Sequence, residues 1–230
     1  YKLGIDNIHH SLSYFQFGKE TGIDLPGELS GILPSREWKK INKNEPWYRG
    51  ETLNIGIGQG FLNASPLQLA VATAAIANRG KLLKPKVLMR TQTKNGDTFE
   101  EDNNSARQIP IKNINNWEII IEGMKQTIYG KLGTGRRLNF DLYYTLAGKT
   151  GTSQVFGLDP EEEYVAENYE EKLRDHALFT AFAPIEDPEV AIAIIVENAG
   201  SGSSKAAPIA KSLLDLYFSK KPSMLNSVTE

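Results

Sequence analysis

Tyr143-Tyr-Thr-Leu-Ala-Gly-Lys-Thr-Gly-Thr-Ser-Gln-Val155 is the stretch from which the rest of the chain is read. Aromatic and β-branched residues lead into it and Gln154-Val155 close it, which predicts a strand carrying Lys149-Thr150-Gly151-Thr152 near its middle. A glycine inside a strand marks the close approach of a ligand or of another backbone. With no side chain at Gly151, a peptide can lie along the strand while the Lys149 ammonium and the Thr150 and Thr152 hydroxyls offer donors to a carboxylate. The stretch therefore reads as an anion-recognition edge. Lys-Thr-Gly by itself is also compatible with an ordinary glycine-kinked strand, so its surroundings decide.

Downstream, Ala177-Leu-Phe-Thr-Ala-Phe-Ala-Pro184, a turn at Glu186-Asp187-Pro188 and Val190-Ala-Ile-Ala-Ile-Ile-Val196 predict a hairpin. Its second strand is apolar throughout, which predicts cover on both faces. The Lys-Thr-Gly strand then joins an antiparallel sheet, and the fold class is α+β with helices flanking that sheet. Ala207–Phe218 is amphipathic, with Ile209, Ala210, Leu213, Leu214 and Tyr217 predicted on the face that covers the sheet. Between the strand and the hairpin, Asp159-Pro160-Glu-Glu-Glu163 predicts an exposed helix start with Asp159 as cap.

Upstream, apolar residues at Leu3, Ile8, Leu12, Tyr14 and Phe15 predict a helix that Gly18 ends. His9 and His10 are adjacent, hence on different helix faces, and are read as packed or solvated rings and not as a metal pair. Thr21–Gly50 is broken by Pro26-Gly27, Gly31, Pro34 and Pro46 and predicts loop, with a short helix over Ser35–Lys40. Trp38, Trp47 and Tyr48 are expected to pin that loop to the body. Gly56-Ile-Gly-Gln-Gly60 lacks the Gly-Lys-Ser/Thr ending of a phosphate loop and reads as a tight connection. Ser65 caps and Pro66 opens a core helix that Gly80 terminates. Val87-Leu-Met89 predicts a strand, Asn95-Gly96 a turn, and Trp117, Ile120, Ile121, Met124 and Ile128 the buried stripe of a helix over Asn115–Tyr129. Gly130, Gly133 and Gly135 unwind the chain before the central strand.

In this order, Thr21-Gly-Ile-Asp-Leu-Pro26, Gly56-Ile-Gly-Gln-Gly60 with Ala64-Ser-Pro-Leu-Gln-Leu-Ala70, Lys149-Thr-Gly-Thr152 and Phe182-Ala-Pro184 resemble the C-terminal half of a penicillin-binding transpeptidase domain. Pro34-Ser-Arg-Glu-Trp38, Pro46-Trp-Tyr48 and Gln154-Val-Phe-Gly-Leu158, followed by Leu173-Arg-Asp-His176, resemble the class B transpeptidases of cell elongation in rod-shaped bacteria. The resemblance covers nearly the whole chain. It implies the penicillin-binding, serine β-lactamase-like fold, present as a partial domain, and a D,D-transpeptidase that crosslinks peptidoglycan stem peptides and is acylated by β-lactams. It implies Lys149 and Thr152 as catalytic, with the Thr152 N–H in the oxyanion hole, and Thr150, Gly151, Thr152 and Gln154 as substrate-binding. Thr134 of the Gly-Thr-Gly segment is read as structural and outside the site.

The family draws its nucleophile and base from Ser-x-x-Lys and a proton relay from Ser-x-Asn or Ser-x-Asp. Neither pattern occurs in this sequence, and in Ser203-Ser204-Lys205 the spacing is wrong. The chain thus supplies the binding wall without the attacking group, and its opening Tyr-Lys-Leu-Gly reads as the cut end of a longer chain. The resemblance then implies a missing N-terminal half of the same domain, an N-terminal anchor, a periplasmic site at the inner membrane, and a membrane glycan polymerase as partner. Alternatives are a non-catalytic β-lactam sensor or scaffold of the same fold, or a serine β-lactamase. Against the last, Ala64–Ala70 after Gly-Gln-Gly resembles penicillin-binding proteins.

Composition is consistent with this frame. The 230 residues are 40% apolar, sufficient for a sizeable core. A net charge of −2 and a pI near 6.0 give no footprint for nucleic acid. With zero cysteines there is no disulfide or thiolate metal site, and no metal or cofactor is expected. No apolar run approaches the roughly 20 residues of a membrane span. The expected organisation is helix and long loop over 1–50, a helical part over 51–135, strand, hairpin and terminal helix over 136–218, and a frayed tail over 219–230.

Overall fold

The computed structural model describes residues 2–100, 106–155 and 170–220, and the chain divides into two compact units, Tyr1–Glu122 and Gly123–Glu230. The acidic helix start at 159–163 lies outside the described residues, as does most of the expected frayed tail.

In the first unit, α1 (Gly4–Ser13) runs into turns that Gly18 closes with φ at 77°. α2 (Arg36–Lys43) starts at Ser35, whose Oγ accepts the Trp38 N–H at 2.9 Å. α3 (Arg49–Gly56) begins at the last two residues of the expected loop and runs into the part expected to be helical. Its start is built by Glu51, which accepts the Tyr48 N–H and also pairs with the buried ammonium of Lys39. Lys39 pairs with Glu45 as well and lies 4.2 Å from the centre of the Tyr48 ring. A buried lysine is tolerable only when paired in this way, and nothing local in 49–56 signals that pairing. Trp47 Nε1 donates to Thr52 and Trp38 packs on Phe61, so the aromatic residues pin the loop as expected.

α4 (Pro66–Ala77) opens with a capping box in which the Ser65 Oγ accepts the Gln68 N–H and the Gln68 side chain accepts the Ser65 N–H. The fully buried Gln68 amide then donates to the carbonyls of Lys19 and Ser30, fastening the loop to the helix. β1 (Lys81–Leu83), β2 (Arg90–Gln92), β3 (Thr98–Glu100) and β4 (Ala106–Gln108) form two antiparallel pairs, β1 with β4 and β2 with β3 about Gly96. The strand expected at Val87–Met89 is absent. The N–H groups of Val87 and Leu88 go instead to the two carboxylate oxygens of Asp24, at 2.7 and 2.8 Å, and these bonds hold the Asp24 carboxyl below its usual range.

α5 (Asn115–Tyr129) matches its expected bounds, and it buries Trp117, Ile121, Met124 and Ile128. Ile120 is the exception to the expected stripe at 41% exposed. Trp117 closes a core with Val71, Ala75, Leu82 and Ile109, and its ring lies against Gly80. Gly80 has φ of 92°, and a Cβ there would stand 2.6 Å from Trp117 Cζ2 and 2.7 Å from Gln108 Nε2. Gly80→Ala is therefore expected to destabilise the chain by about 1–3 kcal/mol, combining left-handed strain with overpacking, as measured by urea unfolding.

The second unit is a three-stranded sheet with order β5-β6-β7, in which β5 (Ala147–Ser153), β6 (His176–Ala183) and β7 (Val190–Val196) pair antiparallel. The α+β fold class and the hairpin are as expected. α6 (Ala206–Ser219) packs on one face through Ala206, Ala207, Ala210 and Leu214, against Ala177, Phe179, Ala181 and Ala183 of β6. Ile209, Leu213 and Tyr217, also expected on that face, are 43%, 45% and 40% exposed. Alanines bring the helix axis close to the sheet, so the larger residues one step round the helix are lifted clear. β7 is a second departure. Every one of its residues is half-buried and none is fully covered, because it is an edge strand and α6 shields one face only among the described residues.

Candidate functional site

β5 is the opposite edge of the same sheet, and among the described residues no strand pairs with its outer side. Side chains alternate along a strand, and pairs in register share a face. Thr150 is opposite Phe179 and Thr152 opposite Ala177, so both hydroxyls stand on the face toward α6. Lys149, Gly151 and Ser153 take the other face. The ladder thus brings the two threonines together and sets Lys149 apart, its ammonium folded onto the carbonyl of Thr150 at 2.6 Å. Gln154 lies just past the ladder, exposed.

The strand is held at three places. At its start, Tyr143 donates to the Asp215 carbonyl and Tyr144 to the Asp215 carboxylate, each at 2.8 Å, and Lys211 pairs with the same carboxylate. These bonds turn the two tyrosines toward α6, and the ladder begins at Ala147 instead of Tyr143. In the middle, Gly202 is buried against the strand: a Cβ there would be 2.2 Å from Leu178 O and 2.3 Å from Gly151 O. Gly148 is equally constrained, its Cβ position lying 2.7 Å from Phe179 Cζ. At Gly151 a Cβ would meet Leu178 Cβ at 3.2 Å and nothing else, so its absent side chain faces the sheet surface and not the outer edge.

Beyond the strand's end, Asp175 accepts the Val155 N–H, and desolvation pushes its carboxyl up from the usual range. Asn198, in the left-handed region at φ 53°, donates its side chain to the carbonyls of Lys172 and Arg174 and its N–H to His176 Nδ1. That bond leaves the ring proton of His176 on Nε2. Leu173-Arg-Asp-His176 is thereby the brace behind the outgoing end of β5.

Thr134 is the residue the sequence leaves out. Its Oγ1 lies 2.6 Å from Oγ1 of Thr150, 16 positions later. No spacing rule connects them; only the return of the glycine-rich turn to the strand does. A groove of about 690 Å³ beside this turn is lined by Tyr129, Arg136, Arg137 and Phe140 among others, and none of its lining residues is on β5. Among the described residues no cluster of three acidic or histidine side chains is placed to hold a metal, and no helix is long and apolar enough to cross a membrane. His9 Nδ1 faces the Pro34 carbonyl and His10 Nε2 the Tyr14 hydroxyl.

The chain belongs to the penicillin binding protein transpeptidase domain family, which it matches over residues 1–215. Its similarity is to the class B, PBP2/MrdA type. Peptidoglycan D,D-transpeptidase MrdA of Haemophilus influenzae is 39% identical over 223 residues, which are 96% of this chain and 34% of that protein. Penicillin-binding protein 2 of Pseudomonas aeruginosa superposes with a TM-score of 0.81 at 36% identity, covering 99% of this chain and 48% of that one. Penicillin-binding protein 2 of Helicobacter pylori, solved in complex with MreC, gives 0.79 at 31% identity, covering 95% of this chain and 37% of that one. The chain spans about a third of the length of the curated relatives it matches.

The tether at the start of β5 sets an alkaline limit on stability. Burial first, then the hydrogen bond to Asp215 and its charge, push the Tyr144 phenol well above its usual range. A pKa raised on folding contributes stability that is whole below the unfolded value of about 10 and is lost as pH rises past it. Chemical unfolding followed from pH 8 to 11 is expected to show falling stability above about 10. Tyr144→Phe is expected to flatten that fall and to cost about 1 kcal/mol at neutral pH.

Proposed function

We propose that this chain is the C-terminal part of one transpeptidase domain in a peptidoglycan D,D-transpeptidase, a serine acyltransferase of the periplasmic face of the inner membrane. The observation that carries the reading is that β5 is an edge strand among the described residues, with Thr150 and Thr152 on one face, in a chain of this family. A stem peptide ending in D-Ala-D-Ala, or a β-lactam, lies along β5 as an added strand. The Thr150 and Thr152 hydroxyls bind its terminal carboxylate. The Thr152 N–H, with the N–H of the attacking serine, receives the oxyanion of the tetrahedral intermediate. Lys149 supplies positive field and orients the relay serine, and Gln154 extends the contact along the peptide.

The attacking serine and its lysine come from the N-terminal half of the domain. Two features of the second unit support such a partner: the half-buried edge β7, and the stripe of Ile209, Leu213, Leu216 and Tyr217 on α6, each at least 40% exposed. Contiguous apolar surface of this kind is what a covering element buries. An N-terminal membrane anchor and a membrane glycan polymerase complete the proposed setting. The relative from Helicobacter pylori assembles with MreC, and a corresponding contact is part of the proposal.

Labelled penicillin separates the parts of this reading. The 230-residue chain by itself is expected to remain unlabelled, since it carries no Ser-x-x-Lys. Stoichiometric covalent labelling would overturn that. In the full-length protein, Thr152→Ala removes one charge-assisted hydrogen bond of about 1.5–3 kcal/mol while leaving the backbone donor, so acylation slows roughly 10- to 150-fold. Gly151→Val is expected to slow it further, through crowding of Leu178 and distortion of the strand. Rates unchanged in both variants would remove the substrate from this strand.

A further inference from the structure

We infer that Thr134 is a positioning residue that sets the polarity of the Thr150 hydroxyl, an inference that rests on the carboxylate-binding role proposed for Thr150. The two hydroxyl oxygens are 2.6 Å apart, a short and well-formed hydrogen bond in which either atom can donate. What decides the direction is the ligand. A carboxylate only accepts, and a threonine hydroxyl has one proton. When Thr150 gives that proton to the carboxylate, its oxygen can receive only a donor, and Thr134 is the hydroxyl at that oxygen. The resulting chain runs from Thr134 O–H to Thr150 O–H to the carboxylate, each bond polarising the next. Thr134 itself need not touch the ligand.

The turn that carries Thr134 is built to hold it there. Gly130 and Gly135 donate to the carbonyls of Gln126 and Thr127, each at 2.9 Å, folding the segment back on the last turn of α5. A Cβ at Gly130 would stand 2.4 Å from Gln126 O, and one at Gly133 would stand 2.3 Å from Thr127 O, so this return path admits only glycine at both places. Leu138, four residues beyond Thr134, is buried in the core under α6 and fixes the segment's other side. The hydroxyl is thus presented from a pinned backbone, which lowers the entropy lost on forming the relay.

The test uses the full-length protein and a fluorescent penicillin, with binding and acylation steps separated by the concentration dependence of the rate. Thr134→Ala and Thr134→Val are expected to weaken the pre-acylation complex by about 3- to 10-fold, as for loss of one neutral hydrogen bond, with the limiting acylation rate little changed. Thr134→Ser is expected to restore most of the binding. In a Thr150→Val background neither Thr134 substitution should cause further loss, since the relay is already broken. Equal losses in both backgrounds would overturn the inference and point to general damage to the turn. Loss of binding in Thr134→Ser equal to that in Thr134→Ala would overturn it as well. Slow acylation of Thr150→Val together with unaltered Thr134→Ala removes this inference alone, whereas unaltered acylation of Thr150→Val removes the carboxylate-binding reading and the inference with it.

Discussion

The second unit depends on how closely α6 approaches the sheet. Ala206, Ala207 and Ala210 have no bulk to hold the helix away, and β6 meets them with Ala177, Ala181 and Ala183. Dispersion falls steeply with separation, so small residues on both sides convert backbone proximity into packing. The same approach carries the loop before α6 down onto β5, where Gly202 rests against the Gly151–Leu178 pair. It also brings Asp215 within reach of both tyrosines that lead into β5. One helix therefore fixes the start and the middle of the strand on which the proposed site lies.

That arrangement holds β5 in place while no strand pairs with its outer side among the described residues. The recognition edge proposed for β5 needs both properties, because main-chain pairing with a peptide tolerates little displacement of the donors. The far end is braced differently, by polar bonds from Asn198 and by the Asp175 carboxylate on the Val155 N–H. Apolar packing and hydrogen bonds share the work, and the hydroxyls of Thr150 and Thr152 stay at the accessible margin. The first unit follows another rule: its loops are held to its helices by single buried polar groups, Gln68 and Lys39, each fully used by its partners.

Much of this was legible in the residues. Apolar runs on either side of Glu186-Asp187-Pro188 predicted the hairpin, and Ser65-Pro66 with Gly80 bounded α4. Lys149-Thr-Gly-Thr152 marked the strand of interest. The misses have definite causes. Val87–Met89 has strand composition, yet its amides were taken by Asp24, more than sixty positions earlier. α3 lies almost wholly in the part expected to be helical, but its bounds were not read, because it lacks apolar periodicity and stands on a pairing with Lys39 from another helix. On α6 Ala210 and Leu214 are buried as expected, but Ile209, Leu213 and Tyr217 are not, because residue size and not hydrophobicity alone decided which side could come close.

By itself, the sequence determined the local elements, the antiparallel sheet and the identity of the donor-bearing strand, since these rest on periodicity, caps and turns that act over a few residues. Tertiary structure alone decided that the face carrying Thr150 and Thr152 is the one toward α6 and that Thr134 meets Thr150. Those facts depend on strand register and on the return path of a glycine turn, and both are set by packing between residues distant in the chain.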